Sequence, residues 1–92
     1  MGFVLHDGKG YVCDLSSARG CQAVMIWLAK EAPSTTAEDF LHSCRTERPV
    51  ELADEIDRLL QRHPPVDLDL TDVANALVRG LRRAHGYAVV TQ

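Results

Sequence analysis

Apolar and polar residues alternate with two different periods along this chain, and the period marks each element. Phe3, Val4 and Leu5, then Tyr11 and Val12, are good strand formers on either side of Asp7-Gly8-Lys9-Gly10. Asp-Gly is a hairpin signal because both central turn positions want a positive φ. Residues 3–15 are therefore expected to form two short strands around a tight turn. With the two-residue period of a strand, Phe3 and Leu5 share a face, and Tyr11, Cys13 and Leu15 share a face.

Beyond the hairpin the period lengthens to that of a helix. Ser16 and Ser17 offer N-caps for a helix from Ala18 to Lys30, where Cys21, Val24, Met25 and Leu28 recur at helical spacing. Ile26 and Trp27 extend its apolar surface almost all round, which predicts a central helix with Trp27 in the core, ended by Pro33. Thr35-Thr36-Ala37-Glu38 has capping-box spacing and predicts a short helix from Ala37 to Arg45, with Phe40, Leu41 and Cys44 on its apolar edge. Residues 45–48 read as a polar loop. Pro49 suits a first helical turn, and Leu52, Ala53, Ile56, Leu59 and Leu60 then form a clean stripe that stops before Pro64-Pro65. An extended connector, residues 66–69, leads to a last helix capped by Asp69 or Thr71 and lined by Leu70, Val73, Ala74, Leu77, Leu81 and Ala84. Gly86 stands where a left-handed C-cap is expected, and Tyr87 to Val90 read as a terminal strand.

The expected fold class is α+β, one domain over residues 1–92. An isolated hairpin is marginal in water, so the C-terminal strand should join the N-terminal hairpin in a small antiparallel sheet packed against about four helices. Helices on one face leave the other face, or an edge, available.

Composition narrows the function classes. Apolar residues are 46% and charged residues 25% of the chain, ordinary globular values that argue against disorder. The longest apolar run, Ala23 to Ala29, is far short of the ~20 residues that span a bilayer, and no signal peptide is expected. Three cysteines, Cys13, Cys21 and Cys44, are an odd and sparse set for a disulfide scaffold and read as reduced thiols in a cytoplasmic protein. The net charge of −3 argues against nucleic acid as partner.

No pattern of reactive side chains carries a reaction. Cys13, Cys21, His42 and Cys44 are zinc-ligand types, but Cys-x7-Cys and His-x-Cys match no common zinc motif. Cys21 and Cys44 also fall on apolar helix stripes, where cysteine acts as a small hydrophobe. Cys13 beside Asp14 lacks the evident base and oxyanion hole of a thiol nucleophile. Glu51, Asp54, Glu55 and Asp57 lie on the solvated face of their helix rather than as a catalytic pair, and Gly8-Lys9-Gly10 is too short for a phosphate loop. The expectation is a protein without catalytic residues, metal or other cofactor. Arg79, Arg82 and Arg83 lie opposite the apolar stripe of the last helix. They read either as favourable charge near a helix C-terminus or as a patch for phosphate or acidic side chains.

"HDGKGYVCDLSSARGCQAVMIWLAK" resembles the strand-turn-strand and first helix of the PqqD-like family, the precursor-peptide recognition elements of ribosomally made peptide pathways, which are winged helix-turn-helix-like. "VELADEIDRLLQRHPPVDLDLTDVANALVRGLRRAHGYAVV" is similar to that family's closing helix pair. The family usually has a further strand before the hairpin, a place the terminal strand is expected to take, and Ser34 to Arg48 looks like an added helix. The resemblance implies a leader peptide bound as an extra strand beside Tyr11 to Leu15, against the helix from Thr71 to Ala84. It makes Tyr11, Val12 and Cys13 the backbone edge, with Arg79, Arg82 and Arg83 favouring acidic residues on the peptide. The leading expectation is thus a non-catalytic peptide- or protein-binding adaptor, with no membrane and no small-molecule cofactor. Two alternatives stand beside it. One is a stand-alone inhibitor or immunity protein acting through the acidic helix 50–63; the other is a winged-helix DNA-binding regulator, opposed by the charge.

Overall fold

The computed structural model describes residues 3–15, 18–32 and 34–91. The expected hairpin is β1 (Val4–Asp7) and β2 (Gly10–Asp14). It is followed by α1 (Ala18–Glu31), α2 (Thr35–Ser43), β3 (Arg45–Thr46), α3 (Pro49–Arg62), α4 (Leu68–Arg83) and β4 (Ala88–Thr91). The candidate caps Ser16 and Ser17, and the helix breaker Pro33, lie outside the described residues.

The strands form one antiparallel sheet in the order β2-β1-β4-β3, so the C-terminal strand does join the hairpin, beside β1. Side chains alternate across it as strands require. Leu5, Asp7, Thr46, Ala88 and Val90 are buried under the helices, whereas Val4, His6 and Val89 are half-buried on the opposite face. The fold class is therefore the α+β arrangement that the hydrophobic pattern implies, with four strands rather than three.

The extra strand is β3, in the stretch expected to be loop. α2 begins at Thr35, two residues early, because Ser34 is its N-cap and accepts a 3.1 Å hydrogen bond from the Ala37 N–H. It stops at Cys44, which takes the left-handed conformation (φ 57°) and donates its N–H to the Phe40 carbonyl at 2.7 Å. The Cys44 carbonyl then accepts from the Val90 N–H at 2.8 Å, which delivers Arg45 and Thr46 to the edge of β4. Cys44 is exposed rather than on an apolar stripe. α4 likewise starts early, at Leu68, because the Asp67 carboxylate accepts from the Asp69 and Leu70 N–H groups. Ala84 ends it in an extended conformation, and Gly86 (φ 81°) sits beyond the cap, in the turn to β4.

The hairpin turn differs in detail from its expectation. The positive φ falls on Gly10 (117°), not on the two central residues. Asp7 replaces the missing turn geometry: its Oδ1 accepts from the Lys9 N–H at 2.8 Å. Its other oxygen accepts from the His85 N–H at 2.9 Å, and Gly8 donates to the His85 carbonyl, so the hairpin turn is tied to the α4–β4 turn.

The core lies between sheet and helices and centres on Leu5, Leu15, Leu28, Phe40, Leu52, Ile56, Leu77 and Leu81, all fully buried. Burying each such side chain contributes about 1.5–3 kcal/mol. α4 is the hub, packed against α1, α3 and β2. Trp27, expected in the core, is only half-buried at its margin, and neighbouring Ile26 is 71% exposed, because α1 covers the core with one side only.

Candidate functional site

β2 stands at one end of the sheet, so its outer edge has no strand beside it among the described residues. Leu15 donates to the Phe3 carbonyl at 2.9 Å and Cys13 lies opposite Leu5, which turns the backbone groups of residues 13 and 15 toward β1. Those of Asp14 then point outward. The register shifts between Leu5 and His6: Cys13 faces Leu5 and Tyr11 faces His6, leaving Val12 as the extra residue of a β-bulge.

The bulge redistributes the predicted edge residues. Val12 and Cys13 both turn toward α4, where a Cβ added at Gly80 would lie 2.8 Å from Cys13 Sγ and 3.8 Å from Val12 Cγ1. Tyr11 is left 63% exposed on the other face, with its ring edge-on to His6 at 6.4 Å. Tyr11 therefore does not share a face with Cys13 and Leu15 and does not face α4.

α4 approaches the hairpin closely because residue 80 has no side chain: the same added Cβ would lie 2.5 Å from Leu5 Cδ2. Glycine inside a helix costs about 1 kcal/mol relative to alanine, so its presence in the last turn of an amphipathic helix, on the apolar side, was the available sequence signal for this approach. At 100° per residue, Ala76, Arg83 and Arg79 follow Gly80 on one flank of α4, and Val78 and Arg82 lie on the other. Ala76 is half-buried, and Arg79 and Arg83 are exposed without an ion pair among the described residues. Arg82 instead spans to α3, 3.2 Å from Asp54 Oδ1 and 3.4 Å from Asp57 Oδ2. Of the three arginines expected to act together, two share the hairpin side and the third is occupied elsewhere.

The same contacts change the acidic helix. Asp54 and Asp57 are partnered by Arg82, Glu51 lies 3.4 Å from Arg48, and Glu55 accepts a hydrogen bond from Ser34. Much of its negative charge is thus matched within the chain.

The thiols are free and dispersed: Cys21 buried, Cys13 half-buried, Cys44 exposed. Burial pushes the Cys21 thiol up to about 11, and Sγ donates to the Leu15 carbonyl at 3.8 Å, an environment that opposes a reactive thiolate. Among the described residues no three of His, Cys, Asp and Glu are grouped to hold a metal ion, and no helix is long and apolar enough to cross a membrane. No family model, no curated protein and no solved structure matches this chain.

Proposed function

We propose that this protein is a non-catalytic adaptor that binds an extended acidic segment of a peptide or protein along β2. The segment would lie against the flank of α4 that carries Ala76, Arg79 and Arg83. The observation that carries this reading is the juxtaposition of an open strand edge, Asp14 with its outward backbone, and a helix flank with two unpaired arginines. Strand addition draws affinity from main-chain hydrogen bonds and selectivity from side chains on the neighbouring helix. The bulge at Val12 limits regular pairing to the stretch around residues 13–15, so most of the selectivity falls to the side chains on the α4 flank, Ala76, Arg79 and Arg83.

The resemblance to the PqqD-like family makes a leader peptide the first partner to try. Three free thiols and the absence of an internal disulfide fit a reducing compartment such as the cytoplasm. A net charge of −3 favours a protein partner over a nucleic acid.

The test selects short random peptides against the immobilised protein and maps the enriched sequence by NMR titration. Acidic extended peptides are expected, with shifts at Cys13, Asp14, Ala76, Arg79 and Arg83. Reversing both charges, Arg79→Glu with Arg83→Glu, should weaken binding roughly tenfold at low salt, and less at high salt. Shifts confined to α3 would replace this reading with that of an inhibitor acting through helix 50–63.

A further inference from the structure

The outer face of α4 separates its charges along the helix instead of mixing them. At 100° per residue Leu68, Asp69, Asp72, Asn75, Arg79 and Arg83 fall within about 120° of arc, on the side turned away from the core. All six are exposed, Leu68 to 78%. Both charges of this stripe before Asn75 are negative, and both after it are positive. The helix dipole accounts for Asp69 in the first turn and Arg83 in the last. Its effect falls off within those turns and does not account for Asp72 or Arg79.

The separation works against the isolated helix. Side chains three and four residues apart are neighbours on a helix surface, and like charges there destabilise it. At those spacings Asp69 adjoins Asp72, and Arg79 adjoins Arg82 and Arg83. None of Asp69, Asp72, Arg79 and Arg83 has an ion pair among the described residues. A partner of uniform charge is attracted by one half of the stripe and repelled by the other. The stripe itself, turned end for end, is attracted by both halves. Rotation about a point between Asn75 and Ala76 sets Asp72 opposite Arg79 of a second copy, and Asp69 opposite Arg83 of that copy. Leu68 then lies along the apolar stem of the same Arg83.

We propose that α4 packs against α4 of a second copy of this chain, antiparallel about a twofold axis between Asn75 and Ala76. Every contact then occurs twice, and the association closes at two copies. Asn75 and half-buried Ala76 are short enough at the crossing point to let the helix axes approach to about 8–10 Å. At 1.5 Å per residue the 16-residue helix is roughly 24 Å long, and at about 10 Å wide its outer face covers about 240 Å². Stable complexes bury about 800 Å² on each partner, so this dimer is weak and reversible. The inference rests on the charge pattern of α4 and not on the adaptor reading. Where both hold, they compete, because the dimer covers Arg79 and Arg83.

The experiment is sedimentation equilibrium of the full chain, without peptide, from micromolar to millimolar concentration at low and high salt. A monomer–dimer equilibrium is expected, weaker at high salt. Arg79→Glu and Asp72→Lys each turn two attractions into repulsions, and each should raise the dissociation constant roughly tenfold. The double variant, Asp72→Lys with Arg79→Glu, exchanges the two signs and should dimerise as wild type does. Only the antiparallel register allows that recovery, since parallel helices would set like against like in every variant. Both changed side chains are exposed, and circular dichroism of each variant confirms folding. A wild type that stays monomeric at millimolar concentration overturns the proposal. So does a dimer indifferent to both single substitutions, an assembly larger than a dimer, or a double variant that fails to recover. None of these results touches the adaptor reading, which is decided by peptide titration.

Discussion

The two flanks of α4 carry the same residue type and behave differently. Toward α3, Arg82 is held between Asp54 and Asp57. Toward the hairpin, Arg79 and Arg83 have no acidic neighbour in reach among the described residues. A helix sets only the angle at which a side chain leaves its axis; the element packed beside that angle decides whether the charge is spent on the fold or remains for a partner. The hairpin flank is also where Gly80 lets backbone and strand approach, so free charge and open edge coincide on one side.

The sharpest way to break this asymmetry is Gly80→Leu. The new side chain would be driven into fully buried Leu5 and half-buried Cys13, which would have to move. Overpacking of this kind costs about 1–3 kcal/mol. A lowered urea midpoint and displacement of β2 from α4 are expected, while the Arg82 contacts to α3 persist. A midpoint equal to that of wild type would mean that Leu5 and Cys13 can move aside for the new side chain at no cost.

Asp7 tests whether the hairpin is anchored independently of α4's arginines. Its carboxyl is held below the usual carboxylate range, first by the His85 N–H, then by the Lys9 N–H. A group with a lowered native value stabilises the fold above its unfolded value, about 3.9, and that contribution is lost as the pH falls through the native one. Asp7→Ala should therefore lower the melting temperature at neutral pH, and the gap from wild type should close on acidification through that window. Parallel melting curves at all pH values would show that the carboxylate does not hold the two turns together.

The smallest effect belongs to the arginines themselves. All are well exposed, so Arg82→Ala should cost only about 0.2–1 kcal/mol and should do so less at high salt, while Arg79→Ala and Arg83→Ala stay within about 0.5 kcal/mol of wild type. Equal losses at all three positions would erase the distinction between the flanks.

What the sequence made legible is what local periodicity encodes. The stripe of α3 and its Pro49 start give that helix almost to the residue, and the strand composition of residues 3–5 and 11–12 gives the hairpin. Caps at Ser34 and Asp67 compete with equally good neighbours such as Thr35 and Asp69, which explains starts displaced by two or three residues. β3 has no strand composition at all; Arg45 and Thr46 are extended because β4 is there to pair with them. The bulge at Val12 shifts every face assignment on one side of it, and nothing in a period of two marks where the extra residue sits. The division among the arginines depended on where α3 lies, a tertiary fact.

The two inner strands of the sheet are far apart in sequence: Val4 lies opposite Thr91 and Asp7 opposite Ala88. During synthesis β1 is made well before its partner. At about 5–20 residues per second it waits for β4 for roughly 4–17 s. Through that interval the hairpin has two unpaired edges rather than one, and its apolar side lacks the Ala88 and Val90 neighbours that later adjoin it. The nascent protein is thus more exposed to mispairing than the finished one, and shortening the chain before Thr91 would make that transient state permanent.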